Sequence, residues 1–119
     1  KAKKKIIGIC LGFQQILCAE GGNIVQQKKI YHGYQSAIEV LKTSQLFKYG
    51  STIYGGRYHS LKLQEPFKSA TIDITMRCKK TNTAMALEDQ TNHVYGFQFH
   101  PESFLTNNGK HIIQKILSA

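Results

Sequence analysis

The sequence predicts an α/β fold with an antiparallel insertion. An apolar segment followed by a helical pattern lies near each end of the chain, and short strand-like segments separated by turn-forming residues lie between them. The length of 119 residues and the hydrophobic fraction of 41% suit a single domain, residues 1–119, built around one core.

The first unit is a strand, a tight turn and a helix. The apolar run IIGI at residues 6–9 is typical of a buried strand. From Phe13 to Leu17, apolar residues recur at i, i+3 and i+4, and the pair Gly21 and Gly22 then provides a stop signal. We therefore predict a helix over residues 11–20.

The rest of the chain predicts short strands and a closing helix. The short strands are expected at residues 24–25, 36–41, 52–54, 61–63, 70–77 and 84–88. A single helical turn is expected within residues 44–49. The last unit is a strand over residues 94–99 and a helix over residues 108–117.

Basic residues dominate the charge of the chain, which is formally +9. They form short clusters at residues 1–5, 28–29 and 77–80 rather than a stripe interleaved with aromatic residues. We expect a solvated face and no nucleic-acid binding, with a docking surface for a more acidic partner as the open alternative.

The cysteines and the lack of targeting patterns limit the classes of protein to which the sequence can belong. Three cysteines without a C-x-x-C spacing predict reduced thiols rather than disulfides or a zinc site. No stretch has the roughly 20 apolar residues that span a bilayer, and no secretory pattern is evident. We expect a cytoplasmic protein with no membrane association.

A cysteine flanked by glycines lies between the first strand and the first helix. Gly8 and Gly12 stand two residues before and after Cys10, which is the pattern of a strained nucleophile elbow. In such a turn the amide of the next residue, Leu11, can receive an oxyanion, and the helix N-terminus lowers the pKa of the cysteine. A buried, inert cysteine beside a tight turn is the alternative that this pattern leaves open.

A base for that cysteine is predicted at the end of the last strand. Among the five histidines, His100 follows this strand directly, and the rigid Pro101 separates it from Glu102. A carboxylate at that offset can hold Nδ1 of the imidazole and leave Nε2 toward a thiol. Cys10, His100 and Glu102 are thus the candidate nucleophile, general acid-base and orienting carboxylate. No third ligand at a suitable spacing suggests a metal site.

Four segments together resemble the glutaminase domain of class I glutamine amidotransferases. They are GICLGFQ at residues 8–14, YHG at 31–33, GRYHSL at 56–61 and GFQFHPES at 96–103. The segment RYHSL and the serine after HPE are similar to the small subunits of anthranilate synthase and aminodeoxychorismate synthase in particular. The resemblance covers the chain from residue 6 to the final helix.

The resemblance implies a fold and a set of binding residues. The fold is a flavodoxin-like open sheet with a small antiparallel insertion, lacking the first strand-helix unit of the family. The implied substrate-binding residues are Leu11, Gln14, Ser60 and Leu61. Without the resemblance, Gln14 would be interpreted as a solvated helix residue and Ser60 as a turn former.

The resemblance also implies a reaction and a partner. The cysteine, histidine and glutamate would hydrolyse L-glutamine to glutamate through a glutamyl thioester, with no cofactor. The ammonia would pass to the large subunit of a chorismate-using synthase that forms anthranilate or aminodeoxychorismate. A non-catalytic binding module and the glutaminase domain of another class I amidotransferase are the alternatives.

The chain departs from the family pattern in two places. Phe13 stands where the family commonly has histidine, and we expect altered packing or partner coupling there rather than lost chemistry. The family's first strand-helix unit and the loop that supplies a second oxyanion amide have no counterpart before residue 6. We expect either a fragment of a longer protein or a truncated relative with an impaired glutaminase.

Overall fold

The computed structural model describes residues 5–42, 47–103, 106 and 109–118. Within these residues the chain forms six strands and two helices. In chain order they are β1 Ile6–Ile9, α1 Leu11–Ala19, β2 Ile24–Val40, β3 Thr52–Leu63, β4 Asp73–Cys78, β5 Ala84–Asp89, β6 Val94–Phe97 and α2 Gly109–Ser118.

The six strands form one mixed sheet in the order β1-β6-β5-β4-β2-β3. Strands β1 and β6 are parallel, with Ile9 opposite Phe97, and the other four pairings are antiparallel. Because the carboxyl ends of parallel neighbours meet at the same end of a sheet, Cys10 and Gln98 emerge side by side there. This pairing positions the candidate site.

The core consists of two apolar clusters on opposite faces of the sheet. Tyr95 and Phe97 of β6 belong to the first cluster. A side chain at Gly96, between them, would instead meet Leu87 and the fully buried Phe13 of the second cluster. Successive strand residues point to opposite faces, so on β6 Tyr95 and Phe97 face the first cluster and Gly96 faces the second. Helix α2 packs into the first cluster and helix α1 into the second.

The predicted α/β fold class is confirmed, but the antiparallel strands are longer than the sequence predicts. Four predicted strands fall at the ends of two long ones. Those at residues 24–25 and 36–41 correspond to the ends of β2, which stops at Val40, and those at 52–54 and 61–63 are the ends of β3. The middle of β2 shows no apolar alternation because residues 28–30 and 32–35 are exposed. Backbone pairing with β3, rather than burial, holds residues 31–35, whereas the register shifts between Gln26 and Tyr31.

Smaller differences occur at the element ends. Strand β4 begins at Asp73 rather than at residue 70, because the Ser69 hydroxyl accepts hydrogen bonds from the amides of Thr71 and Ile72 at 3.2 and 3.0 Å and forms a turn. The helical turn predicted within residues 44–49 lies partly outside the described residues. Neither of the two helices that the structure describes is long and apolar enough to cross a membrane.

Candidate active site

Cys10 lies on the sharp turn between β1 and α1. Its φ of 55° and ψ of −102° form a backbone conformation that few residues other than glycine adopt. The Cys10 amide donates a hydrogen bond of 2.7 Å to the carbonyl of Phe97, which ties the turn to the end of β6. The strained strand-to-helix turn that the elbow pattern predicts is present.

The two glycines of the elbow differ in how tightly they are packed. A Cβ at Gly8 would lie 2.7 Å from the Gly12 carbonyl carbon and 2.7 Å from Cδ1 of Ile16. Among the described residues, nothing would lie within 4 Å of a Cβ at Gly12. Close approach of α1 to β1 therefore requires glycine at position 8 but not at position 12.

We expect the substitutions Gly8→Ala and Gly12→Ala to have opposite effects on stability. Gly8→Ala forces helix backbone away from β1 and should lower the free energy of unfolding by about 1–3 kcal/mol. Gly12→Ala removes a helix-disfavouring glycine and should be neutral or stabilising by up to about 1 kcal/mol. Urea denaturation of the two variants measures this difference, and equal losses of stability would contradict it.

His100 and Glu102 form a hydrogen-bonded pair beyond the end of β6. Nδ1 of His100 lies 2.6 Å from Oε2 of Glu102. Because an ionised carboxylate can only accept, Nδ1 of the imidazole is the donor in this hydrogen bond, and Nε2 carries no proton in the neutral ring. The His100 amide also donates to the Gly56 carbonyl at 2.9 Å, which fixes the pair against β3.

Tyr58 of β3 contacts both halves of the candidate site. Its carbonyl oxygen accepts a hydrogen bond from the thiol of Cys10 at 3.6 Å. Its ring packs edge-on against the imidazole of His100, with 5.1 Å between the ring centroids. Its hydroxyl lies 2.8 Å from Oγ of Ser103. Cys10 contacts the backbone of this tyrosine, and His100 contacts its ring.

Burial raises the pKa of the Cys10 thiol above its ordinary value. A backbone hydrogen bond from Leu11 and the side-chain amide of Gln98 lower the pKa in part, and the negative charge of Glu102 raises it. The lowered pKa that the helix N-terminus predicts is therefore wrong for this structure, because desolvation outweighs the hydrogen bonds.

Of the four residues implied as substrate contacts, two lie on α1 and two on β3. Leu11 begins α1, so its amide has no partner within the helix. Gln14 is only 6% exposed and donates to the carbonyl of Leu61 at 3.4 Å, so it is not the solvated residue that the helix pattern alone would indicate. Ser60 and Leu61 follow Tyr58 on β3.

A family model described as glutamine amidotransferase class I matches residues 1–119. The chain belongs to the class I glutamine amidotransferase family. The bifunctional protein TrpGD of Thermotoga maritima is 37% identical to this amidotransferase chain, over 98% of the chain and 20% of that protein. Anthranilate synthase component 2 of Helicobacter pylori is 34% identical, over 96% of the chain and 58% of that protein. The chain therefore spans between a fifth and three fifths of the length of these relatives.

Solved amidotransferase-like structures share the fold at lower identity. A protein from Thermoplasma acidophilum, described as one subunit of a GMP synthase, has a TM-score of 0.83 and 23% identity, covering 98% of this chain and 57% of that one. PurLQS from Thermotoga maritima has a TM-score of 0.75 and 22% identity, covering 98% of this chain and 62% of that one. These similarities establish the fold of the amidotransferase chain.

Two buried polar groups of this amidotransferase were missed by sequence reasoning. Gln98 is fully buried and donates to the sulfur of Cys10 at 3.6 Å, and its only sequence signal is a polar residue inside the apolar run 94–99. Arg57, also fully buried, donates from Nε to His59 Nε2 at 2.9 Å and lies 3.6 Å from the centroid of the Tyr31 ring. No sequence pattern indicates the contacts of Arg57. They arise because the pairing of β2 with β3 places Tyr31 beside His59 and Arg57.

Metal ligands are not clustered in the part of the chain that the structure describes. Within that part, no group of three or more His, Cys, Asp or Glu side chains could hold a metal ion.

Proposed function

We propose that this domain is the glutaminase component of a chorismate-using synthase and hydrolyses L-glutamine to glutamate and ammonia. The observation that supports this most is the contact of Tyr58 with both Cys10 and His100, while His100 holds Glu102 through Nδ1. A nucleophile, a base and an orienting carboxylate acting together would suit acyl transfer from an amide. Membership of the amidotransferase family supports glutamine as the amide.

The proposed reaction begins with the neutral Cys10 thiol. His100 takes the thiol proton on Nε2 as the sulfur attacks the side-chain amide carbon of glutamine, and the Leu11 amide donates to the oxyanion that forms. The protonated imidazole then gives its proton to the leaving nitrogen, ammonia departs, and a glutamyl thioester remains. Water that loses a proton to His100 hydrolyses the thioester to glutamate and restores the thiol.

In the proposed complex, α1 and β3 hold the substrate. Ser60 and Leu61 would bind the amino-acid end of glutamine through hydroxyl and backbone groups, because they follow Tyr58 on the strand that faces the thiol.

The proposed partner is the large subunit of a synthase that uses the ammonia. Free ammonia is mostly protonated in neutral water and loses its nucleophilicity, so release next to the consuming site is an advantage. The relatives named anthranilate synthase component 2 favour anthranilate over aminodeoxychorismate as the final product.

We expect a diazo-ketone analogue of glutamine to label Cys10 and to leave Cys18 and Cys78 unlabelled. Cys18 is exposed and Cys78 is buried, so reactivity set by exposure alone would select Cys18. Mass spectrometry of peptides from the labelled full-length protein measures the selectivity, and excess L-glutamine should protect Cys10. Iodoacetamide, which lacks the glutamine moiety, serves as the control reagent and should modify Cys18 readily. Labelling of Cys18 by the analogue at the rate of Cys10, or no protection by glutamine, would contradict the proposal.

Assays with the partner separate the proposed function from its alternatives. Glutamate release that rises with the chorismate-using partner, together with anthranilate formation, supports the proposal. A binding module would bind that partner but release no glutamate. The glutaminase domain of another class I amidotransferase would release glutamate without supporting product formation from chorismate.

A further inference from the structure

Two buried glutamine side chains link the thiol to strand β3. Gln98 is fully buried and Gln14 is 6% exposed. The Gln98 amide nitrogen donates to the sulfur of Cys10 at 3.6 Å, and the Gln14 amide nitrogen donates to Oε1 of Gln98 at 3.0 Å. The same Gln14 nitrogen lies 3.4 Å from the carbonyl oxygen of Leu61.

The direction of these hydrogen bonds is set by the backbone carbonyl at one end. The carbonyl of Leu61 can only accept, so Gln14 must turn its NH₂ group toward Leu61 and Gln98. Oε1 of Gln98 then receives the Gln14 hydrogen bond, and the NH₂ group of Gln98 points at the sulfur. Reversing either amide would set two donors or two acceptors against each other in a buried site, which is costly.

We propose that Gln98 stabilises the Cys10 thiolate as it forms during catalysis, and that Gln14 is a positioning residue that aims the Gln98 amide at the sulfur. This inference rests on the proposed function, in which Cys10 is the nucleophile. A hydrogen bond to an anion is stronger than one to the neutral group, so the amide favours the thiolate over the thiol. It acts against the burial that raises the pKa of the Cys10 thiol. The resemblance assigned Gln14 to substrate binding, whereas the hydrogen bonds point to a role behind the nucleophile.

The experiment measures the alkylation rate of Cys10 by iodoacetamide against pH in the full-length protein. Peptide mass spectrometry resolves Cys10 from the other cysteines, and the midpoint of the profile gives the thiol pKa while the plateau gives its accessibility. The variants are Gln98→Met and Gln14→Met, which keep side-chain length and remove the amide. Gln90→Met and Gln15→Met are the matched controls, because both of these glutamines are exposed and Gln15 is next to Gln14 on α1.

Gln98→Met is expected to raise the pKa of Cys10 by about one unit, which lowers the alkylation rate at pH 7 by about tenfold and leaves the plateau unchanged. Gln14→Met should act in the same direction by about threefold, and the double variant should match Gln98→Met alone because both act through one hydrogen bond. The controls should match the unmodified protein. If Gln98→Met does not fold by circular dichroism, Gln14→Met carries the test.

Other outcomes would overturn the inference. An unchanged midpoint in folded Gln98→Met or Gln14→Met would show that the amides do not act on the sulfur. If Gln14→Met raises KM for glutamine at an unchanged midpoint, Gln14 contacts the substrate and is not a positioning residue. Alkylation requires no glutamine, so it tests the hydrogen bond independently of the proposed function. If the midpoint shifts in a protein that releases no glutamate, the proposed function is contradicted but the effect of Gln98 on the Cys10 thiol is supported.

Discussion

Cys10→Ala is expected to abolish glutamine-dependent turnover, with His100→Ala nearly as severe and Glu102→Ala clearly milder. In the proposed reaction Cys10 supplies the sulfur that bonds to the substrate, so its removal leaves the reaction without a nucleophile. Removing a nucleophile or its base from a comparable triad costs about 10⁶-fold in turnover, and removing the orienting carboxylate costs less. Glu102 only holds Nδ1 of His100, and its side chain is 57% exposed, so water can partly replace it.

The test measures glutamate release and ammonia-dependent product formation for each variant with the proposed synthase partner. Synthesis from added ammonia should survive all three substitutions, because they affect only the supply of ammonia. Glu20→Ala, at an exposed glutamate just after α1, is the matched control for Glu102→Ala and should keep full activity. If a folded Glu102→Ala variant were as inactive as Cys10→Ala, the assignment of Glu102 as an orienting group would be wrong.

The parts of the site that could be predicted from the sequence are those encoded within a few residues. The elbow needs a strand, a small residue and a helix around Cys10, and all of these are adjacent in the chain. His100 and Glu102 are two residues apart, so their contact depends on one turn rather than on the whole fold. Even there, the elbow pattern treats Gly8 and Gly12 as equivalent, and they are not. Only the contacts between α1 and β1 show that Gly8 is packed against helix backbone and Gly12 is not.

The parts that could not be predicted depend on pairing between distant segments. The long strands β2 and β3 were divided into short pieces because exposed polar residues in the middle of β2 hide the strand pattern. The contact of Gln14 with Gln98 requires helix α1 to lie beside the end of β6, which no local pattern encodes. For the same reason, Tyr58 was not recognised as the residue that joins Cys10 to His100.

His59 is a further buried side chain with hydrogen bonds at its ring nitrogens. Its protonation should lower the free energy of unfolding in acid. Nδ1 lies 2.7 Å from the carbonyl oxygen of Leu61, which can only accept, so Nδ1 carries the proton and Nε2 accepts from Nε of Arg57. A second proton on Nε2 would face the guanidinium of Arg57. Burial, opposed by the hydrogen bond to Leu61 and reinforced by the charges of Arg57 and His100, lowers the pKa of His59 from 6.5 to about 4.

Lowering the pH from 7.0 to 4.5 is expected to destabilise the protein by about 2 kcal/mol more than the variant His59→Gln. Between pH 6.5 and about 4 the unfolded chain protonates His59 and the folded chain does not, so this contribution to stability is present above pH 6.5 and is lost as the pH falls toward 4. Urea denaturation at the two pH values measures the loss for each protein, and comparing the losses cancels the titration of all other groups.

His32→Gln, at an exposed position of β2, is the control for removing an imidazole and should lose as much stability as the unmodified protein. An equal loss in His59→Gln would show that His59 is protonated in the folded state, and that Arg57 and the Leu61 carbonyl do not hold it neutral.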